Sequence, residues 1–330
     1  VKIAVVILNW NGKALLEKFL PSVVFYSENA SVYVADNAST DNSVSFVQKN
    51  FPSVKIIQNK VNGGYAKGYN DALQKVEEDI FILLNSDVEV TKNWLNPIEE
   101  HFKKNKNTAI IQPKILDYKN PNFFEYAGAA GGFIDKFGYP FCRGRIFETL
   151  EKDQGQYNDD HPIFWASGAC LAIRKSVFFE IGQLDEDYFA HQEEIDLCWR
   201  AHHAGYRAIF LSKSKVFHLG GATLAVMNPQ KTFFNFRNSL YNLLKNVPKP
   251  QLFYIIIFRM ILDGLAGLKF LLEGKPKHFW AILRAHASFY RNFSKTLKKR
   301  KTIYTMRHYA SLTSIVVRYY IFKNKKYSDL

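Results

Sequence analysis

The chain has 330 residues, 47 % of them hydrophobic and 22 % charged, enough apolar material for a full core and a balance that excludes wholesale disorder. Its three cysteines, Cys142, Cys170 and Cys198, stand far apart with no CxxC pair, which excludes a zinc knuckle or a disulfide framework and fits a reducing compartment. The net charge of +14 is unevenly placed: Lys231 to Leu330 hold 20 Lys and Arg against 3 acids, a balance of +17, while the preceding residues hold 24 against 27.

The chain opens on Lys2 to Leu8, an apolar run that leads straight into a polar turn and reads as a first strand, not a signal peptide. Lys13 to Val24 has helical spacing. Ser31 to Ala35 is a second strand ending in Asp36, Asn42 to Asn50 is helical, and Val54 to Gln58 is a third strand. Asn62 to Val76 follows as a glycine turn running into a helix. This alternation with short loops predicts an α/β fold with a mostly parallel sheet and right-handed crossovers. The next run, Ile80 to Leu84, is unbroken apolar sequence, as in a strand covered on both faces, and it stops abruptly at Asn85-Ser86-Asp87. Ligands of open α/β sheets sit beyond such strand ends. Asp87 therefore stands where a carboxylate can hold a divalent cation and, through it, substrate phosphates. The alternative is a cap on the helix around Trp94.

The loops carry further chemistry. Asp36-Asn37-Ala38-Ser39-Thr40-Asp41 is dense in acceptors; Thr40 or Asp41 can cap the helix from Asn42, and Asp36 can accept a hydrogen bond from a base or ribose. Asn62-Gly63-Gly64-Tyr65-Ala66-Lys67-Gly68-Tyr69-Asn70 permits close backbone approach to a ligand. It is neither a Rossmann GxGxxG nor a Walker loop, which excludes dinucleotide and P-loop readings. Trp165-Ala166-Ser167-Gly168 precedes another apolar run. Between Asp185 and Leu197 the chain packs six carboxylates, with Glu193 and Glu194 opening a helix that runs to Ala204. Acids in a first turn suit the helix dipole. Crowded carboxylates also raise one another's proton affinity, as a general base requires. Val216-Phe217-His218-Leu219-Gly220-Gly221 ends a further apolar run, and His218 there is either a metal ligand or a structural histidine.

The last third joins basic residues to apolar, aromatic-rich sequence. Leu252 to Leu272 is long enough to span a bilayer, but Arg259, Asp263 and Lys269 interrupt it, so an in-plane interfacial helix fits better. The alternative is an ordinary helical subdomain with a solvated basic face. Nothing in the tail resembles a helix-turn-helix, a zinc module or an RNP motif, which argues for an anionic membrane surface and against nucleic acid as the partner.

Taken in order, Val6-Ile7-Leu8-Asn9-Trp10-Asn11-Gly12, the Asp36-Asn37-x-Ser39-x-Asp41 turn, the Asn62 to Asn70 segment, Leu84-Asn85-Ser86-Asp87, the Gly168 segment, Glu193-Glu194-x-Asp196-Leu197 and His218-x-Gly220-Gly221 resemble the family 2 glycosyltransferases. These have the GT-A fold, and the bacterial rhamnosyltransferase-like branch is the most similar. The resemblance covers roughly residues 1–240 and implies a nucleotide-sugar-binding half (1–110) and an acceptor-binding half (111–240); the charge and apolar pattern of the tail marks 241–330 as a helical, basic, membrane-associating region. It implies inverting transfer from a nucleoside-diphosphate sugar, a dTDP- or UDP-sugar with rhamnose among the candidates. The acceptor would be a hydroxyl of a cell-surface glycan precursor carried on a polyprenyl diphosphate.

Carried over residue by residue, Asp36 would contact the base, with Asn62, Gly64 and Asn70 framing base and ribose. Asn9, Asn11, Asn37, Asp41, Asn85 and Ser86 complete the donor-binding set. Asp87 would bind Mg2+ or Mn2+ at the diphosphate, with His218 as second ligand, because Asn85 stands where the family motif has its first Asp. Glu194 occupies the position of the family's catalytic Asp, so the base is Glu194 or Glu193, and Asp196 positions the helix or an acceptor hydroxyl. Trp165, Gly168, Asp185 and Arg237 would face acceptor or phosphate. The enzyme would work in the cytoplasm, peripheral on the inner face of the membrane. The rival readings are a nucleotide-sugar-binding protein or a nucleotidyltransferase, which would release pyrophosphate and have no use for an acidic helix.

Overall fold

The computed structural model describes residues 1–220, 228–300, 306 and 308–330; Gly221 of the His218 motif lies outside the described residues. In chain order the first half contains β1 (Ile3–Asn9), α1 (Lys13–Tyr26), β2 (Ser31–Asp36), α2 (Ser43–Asn50), β3 (Lys55–Gln58), α3 (Gly64–Leu73), β4 (Ile80–Asn85), β5 (Val88–Val90), α4 (Leu95–Lys104) and β6 (Thr108–Asp117). Four short strands follow, β7 (Gly132–Ile134), β8 (Pro140–Cys142), β9 (Arg145–Ile146) and β10 (Thr149–Leu150), then β11 (His161–Ile163), β12 (Cys170–Arg174), α5 (Lys175–Glu180), α6 (Glu193–His203) and β13 (Arg207–His218). The chain closes with α7 (Pro229–Asn246), α8 (Lys249–Leu272), α9 (Pro276–Arg291), α10 (Phe293–Lys298) and α11 (Ile315–Tyr320).

The main sheet runs β11-β13-β6-β12-β4-β1-β2-β3, with β5 paired to β13. Strands β3, β2, β1 and β4 are mutually parallel. Strand β12 enters antiparallel between β4 and β6, and β13 pairs parallel with β6, so the sheet is mostly parallel, as the sequence predicts. Alternate residues of the same strands supply two cores because successive side chains leave opposite faces. Ala4, Val6, Phe81 and Leu83 pack with Tyr69 of α3 and Trp199 of α6. Val5, Ile7, Ile82 and Leu84 pack with Leu16 and Leu20 of α1 and Trp94 and Phe102 beside α4.

Parallel pairing also fixes where the site lies. Register sets Asn9 against Asp36 and Leu8 against Asn85, so the polar ends of β1, β2 and β4 stand side by side. His218, last in β13, pairs with Val88 immediately after Asp87. A sequence separation of 131 residues thereby collapses to direct contact.

Helix α7 starts on Pro229, with the Asn228 side chain accepting from the Gln230 N–H at 2.8 Å, a start signal in which proline's missing N–H costs nothing. Residue 240, where the sequence resemblance ends, falls inside this helix. Helix α8 turns two of its three interrupting charges inward: Arg259 and Asp263 are buried and 2.7 Å apart, while Lys269 is exposed. The chain end returns to the small antiparallel sheet, where Asp135 accepts the N–H of Ile315 at 2.9 Å and Tyr327 packs against Phe133 and Phe141. Among the described residues no helix is long and apolar enough to cross a membrane.

Candidate active site

Three strand ends build the first pole. Asn9 donates to Asp36 Oδ1 at 3.1 Å and to Ser39 Oγ at 3.2 Å, and Asp36 also accepts the Ser39 N–H at 3.0 Å. Both are buried, and Asn9 Oδ1 finds no hydrogen-bond partner among the described residues. An acceptor left unsatisfied in this way calls for a donor from water or ligand. Asn37 is buried beside them, donating to Asn62 Oδ1 at 2.9 Å and the Gly64 carbonyl at 3.0 Å.

Asn11 and Asp41 serve the turn itself. Asn11 Oδ1 accepts the Thr40 N–H at 2.7 Å, and Asp41 accepts the first amides of two helices, Lys13 N at 3.1 Å and Ser43 N at 3.0 Å. The capping role expected of Thr40 or Asp41 falls to Asp41.

Asp87 is no cap for α4, whose N-cap is Trp94 without a side-chain bond. Its Oδ1 lies 3.1 Å from His218 Nε2, and both groups are buried. The other ring nitrogen, Nδ1, lies 3.2 Å from Glu125 Oε2 as an ion-pair contact. Burial opposes charge on this imidazole, but Glu125 and Asp87 flanking it outweigh burial and push it up to about 10. Glu125, in the loop after β6, carries no sequence signal and was not anticipated. Among the described residues no group of three or more acidic, His or Cys side chains is arranged to hold a metal by itself. With the Nε2 proton displaced, as metal binding to an imidazole requires, Asp87 and His218 fit a shared divalent cation: neighbouring ligands on an octahedral ion stand about 3 Å apart, and Mg2+ commonly takes one or two protein ligands and completes its shell with phosphate oxygens and water. Asn85 ends β4 half-buried, its N–H held by the Ala169 carbonyl at 3.0 Å, with Ser86 between it and Asp87.

The second pole is the start of α6. Glu193 is buried, with Oε2 lacking a hydrogen-bond partner among the described residues, and burial together with Glu194 pushes its carboxyl well above the usual range. Glu194 keeps some exposed surface; the close packing of its carboxyl pushes it up to about 7 against the pull of nearby backbone N–H groups. Asp196 differs. Arg200 at 2.8 Å, Lys245 at 2.8 Å and Asn246 at 3.0 Å surround it, and despite complete burial they hold it well below the carboxylate range. It anchors the helix and has no free oxygen for chemistry.

Several expected contacts lie elsewhere. Asn70, expected at the base and ribose, exchanges hydrogen bonds with the Leu184 backbone at 2.9 and 3.1 Å and ties α3 to the acidic loop. Trp165 is a core residue, packed on Gly132 and donating to the Phe133 carbonyl at 2.8 Å. Asp185 pairs with Lys245 at 2.7 Å and with Lys299. Arg237 donates to the Asp187 and Tyr188 carbonyls at 3.1 and 3.0 Å and stacks among aromatic rings, so its role is to hold the loop. Gly168 does lie between the poles: its carbonyl accepts from Tyr65 Oη at 2.8 Å, and Glu193 and Glu194 both act electrostatically on that Tyr65 hydroxyl.

The loop before α6 is latched over the glycine turn. Phe189, His191 and Gln192 all have left-handed backbones, φ 64, 69 and 70°, each costing on the order of 1–3 kcal/mol. Gly64, φ +75°, brings its Cα so near Phe189 that a Cβ would lie 2.4 Å from the Phe189 carbonyl oxygen. Tyr65 N–H donates to that same oxygen at 2.8 Å. Asn238 secures the loop from the other side, donating to the Ala190 and His191 carbonyls at 2.9 and 2.7 Å. Two shallow hollows lie elsewhere, one at the opposite, amino-terminal end of the sheet near Lys2 and Glu78, the other beside Pro21 and Phe25.

The family model for glycosyl transferase family 2 matches residues 4–182, more than half of the chain. The chain belongs to that family. The glycosyltransferase is 27 % identical over 233 residues to an N-acetylglucosaminyl-diphospho-decaprenol L-rhamnosyltransferase of Mycobacterium tuberculosis, covering 65 % of this chain and 75 % of the relative. It is 25 % identical over 203 residues to a low-salt glycan biosynthesis hexosyltransferase of Haloferax volcanii, with 60 % and 61 % covered. Among solved structures it is similar to S. aureus TarS 1–349 in complex with UDP-GlcNAc, with TM-score 0.57, 16 % identity, and 90 % and 91 % covered. It is likewise similar to GalNAc-T7 with UDP, GalNAc and Mn2+, with TM-score 0.58 and 18 % identity over 74 % of this chain and 47 % of that one. These likenesses establish the GT-A type of fold for the glycosyltransferase and agree with the resemblance read from its motifs.

Sequence reading singled out Asp87, His218, Glu193 and Glu194 but did not single out Glu125, Asn238 as a clamp, or Asn242. The last two could have been seen: Asn238, Asn242 and Asn246 repeat every four residues on one face of α7, and all are buried, the first two against the acidic loop and Asn246 against Asp196 of α6.

Proposed function

We propose that this glycosyltransferase moves a sugar, with inversion, from a dTDP- or UDP-sugar to a hydroxyl of a polyprenyl-diphosphate-linked glycan precursor at the inner face of the cytoplasmic membrane. The observation carrying the reading is the pair of poles: a buried carboxylate-imidazole contact, Asp87 to His218, at the strand ends, and a carboxyl raised to about 7, Glu194, at the start of α6. Support for donor and acceptor class comes from the relatives, one acting on a decaprenyl-diphosphate glycan and another structure holding UDP-GlcNAc.

Asp36 and Asn37 face the nucleoside, with Asn9 Oδ1 open to a donor group. Asp87 and His218 would hold Mg2+ or Mn2+. A cation held there would supply positive charge against the departing diphosphate. Glu125, 3.2 Å from the other ring nitrogen, would help orient the His218 imidazole, as carboxylates behind ligand histidines do. Glu194 takes the proton of the acceptor hydroxyl as its oxygen bonds to the anomeric carbon. The bond from that carbon to the diphosphate breaks, and the nucleoside diphosphate leaves. Glu194 is preferred over Glu193 because it retains access to solvent while Glu193 is buried.

Release of nucleoside diphosphate from UDP- and dTDP-sugars, measured with an extracted lipid-linked acceptor, tests the reading. Asp87→Asn is expected to keep the fold and lose turnover, and a chelator to do the same to the native enzyme. Near-native turnover of Asp87→Asn, or indifference to chelator, sinks the metal assignment, and release of pyrophosphate sinks the transferase reading.

A further inference from the structure

Helix α8 is amphipathic in an inverted sense. Its charged pair faces the protein and its apolar side chains face outward. On the inner face Arg259 donates to Asp263, to the Phe137 carbonyl and to Ser239 Oγ, lies 3.9 Å from the centre of the Tyr139 ring, and so joins the helix to α7 and the small sheet. His286 of α9 completes the network at 3.1 Å from Asp263. On the opposite face Phe253, Ile257, Ile261, Leu265, Leu268 and Leu272 follow one another at three- and four-residue steps, all exposed, Phe253 by 77 % and Leu272 by 82 %. Trp280 and Leu283 of α9 extend the surface, Trp280 being 61 % exposed. Water-facing apolar stretches of this size mark an interaction surface.

We propose that the outward face of α8 and α9 beds into the interfacial layer of an anionic bilayer. The proposal rests on the transferase reading only for its purpose, to bring a lipid-linked acceptor to Glu194. Charge identifies the occupant. Lys249, Lys277, Arg284 and Arg291 are exposed on the same two helices, and the single exposed acid of the segment, Glu273 between them, is already paired with Lys269 at 3.1 Å and Lys275 at 2.7 Å. A second copy would press two basic surfaces together, whereas anionic headgroups neutralise them. An outward Trp and basic side chains around an apolar stripe are the chemistry of an in-plane helix. The same helices reach the site. His278 of α9 bonds Thr232 at 2.7 Å, Arg284 lies over Phe233, and the adjacent Phe234 stacks on Phe189, the residue against Gly64.

Flotation of the full chain with phosphatidylcholine vesicles, with and without phosphatidylglycerol, tests the surface. The native protein should float with phosphatidylglycerol vesicles, and less so at high salt. Ile257→Ser/Ile261→Ser/Leu265→Ser, all at exposed positions, should lower partition by more than about tenfold with an unchanged melting temperature and unchanged UDP or dTDP thermal shift. Lys249→Gln/Lys277→Gln/Arg291→Gln should remove the salt sensitivity. Native protein that stays at the bottom of the gradient overturns the proposal, as does a serine variant that floats like the native chain. A vesicle-free dimer that the serine variant abolishes, without flotation of the native protein, overturns it in favour of a second copy. Native protein that floats but binds neither nucleotide would remove the transferase reading and leave this surface standing.

Discussion

Two adjacent glutamates begin α6, yet the fold gives them different work. Glu194, raised to about 7, is a base only when deprotonated, so kcat/KM should fall on the acid side of about pH 7 and level off above it. Glu194→Gln should bind donor normally, lose on the order of 10²–10⁴ in kcat and abolish that acid limb. If Glu193→Gln is the dead variant and Glu194→Gln the active one, the roles are reversed. Glu193 makes a stability prediction of its own. Its folded carboxyl is raised above the unfolded one, so its contribution to stability is full in acid and lost as pH rises through the folded value. Glu193→Gln should therefore stabilise the protein at pH 8, by about 1–3 kcal/mol, with the gain vanishing in acid. Denaturant unfolding at the two pH values measures this, and equal gains at both would count against a buried charge.

At the scale of elements, α7 sets the geometry of the acidic loop. A left-handed backbone at Phe189, His191 and Gln192 persists only if its surroundings overdetermine it, and the Asn238 amide beneath three of the loop's carbonyls does so. Asn238→Ala should cost about 1–3 kcal/mol of stability and, by shifting Glu194, on the order of 10² in kcat, with donor affinity little changed. A variant that melts lower but turns over normally would show that the loop keeps its shape without the clamp. Strand β4 shows the converse: its five consecutive buried residues announce a central strand without help from elsewhere, because burial on both faces leaves no polar position.

Across the whole molecule, the carboxyl-terminal helices join the main body through an apolar seam, in which Leu240, Tyr241, Leu244 and Phe289 pack with Tyr188 and with Leu252 and Ile256 of α8, and through the buried charge network around Asp263. Burial works against charge on Asp263, and Arg259 and His286 nevertheless hold it below its ordinary range. Asp263→Ala leaves Arg259 buried and unpaired and should cost about 3–5 kcal/mol, whereas joint replacement by Arg259→Met and Asp263→Leu should recover part of that loss. A single-variant cost below about 1 kcal/mol in denaturant unfolding would mean that water reaches the pair.

Local sequence determined the strands, the first helices, the glycine turn and the acidic helix start, because periodicity, glycine and capping residues act within a few positions along the chain. It also placed Asp36, Asp87, Glu193 and Glu194 at strand or helix ends. Tertiary structure decided which of those groups are free to do chemistry. Asp185 and Asp196 have the same composition-level signature as Glu194, but lysines and arginine from α7, α10 and α6 itself neutralise them. Glu125 reaches His218 only because β6 and β13 lie side by side. Likewise Arg259 and Asp263, two of the three charges that interrupt the apolar run of α8, lie on its inner face, while Lys269 stays exposed. Pairing energy depends on distance through space and on burial, and neither is written in the spacing of residues along a chain.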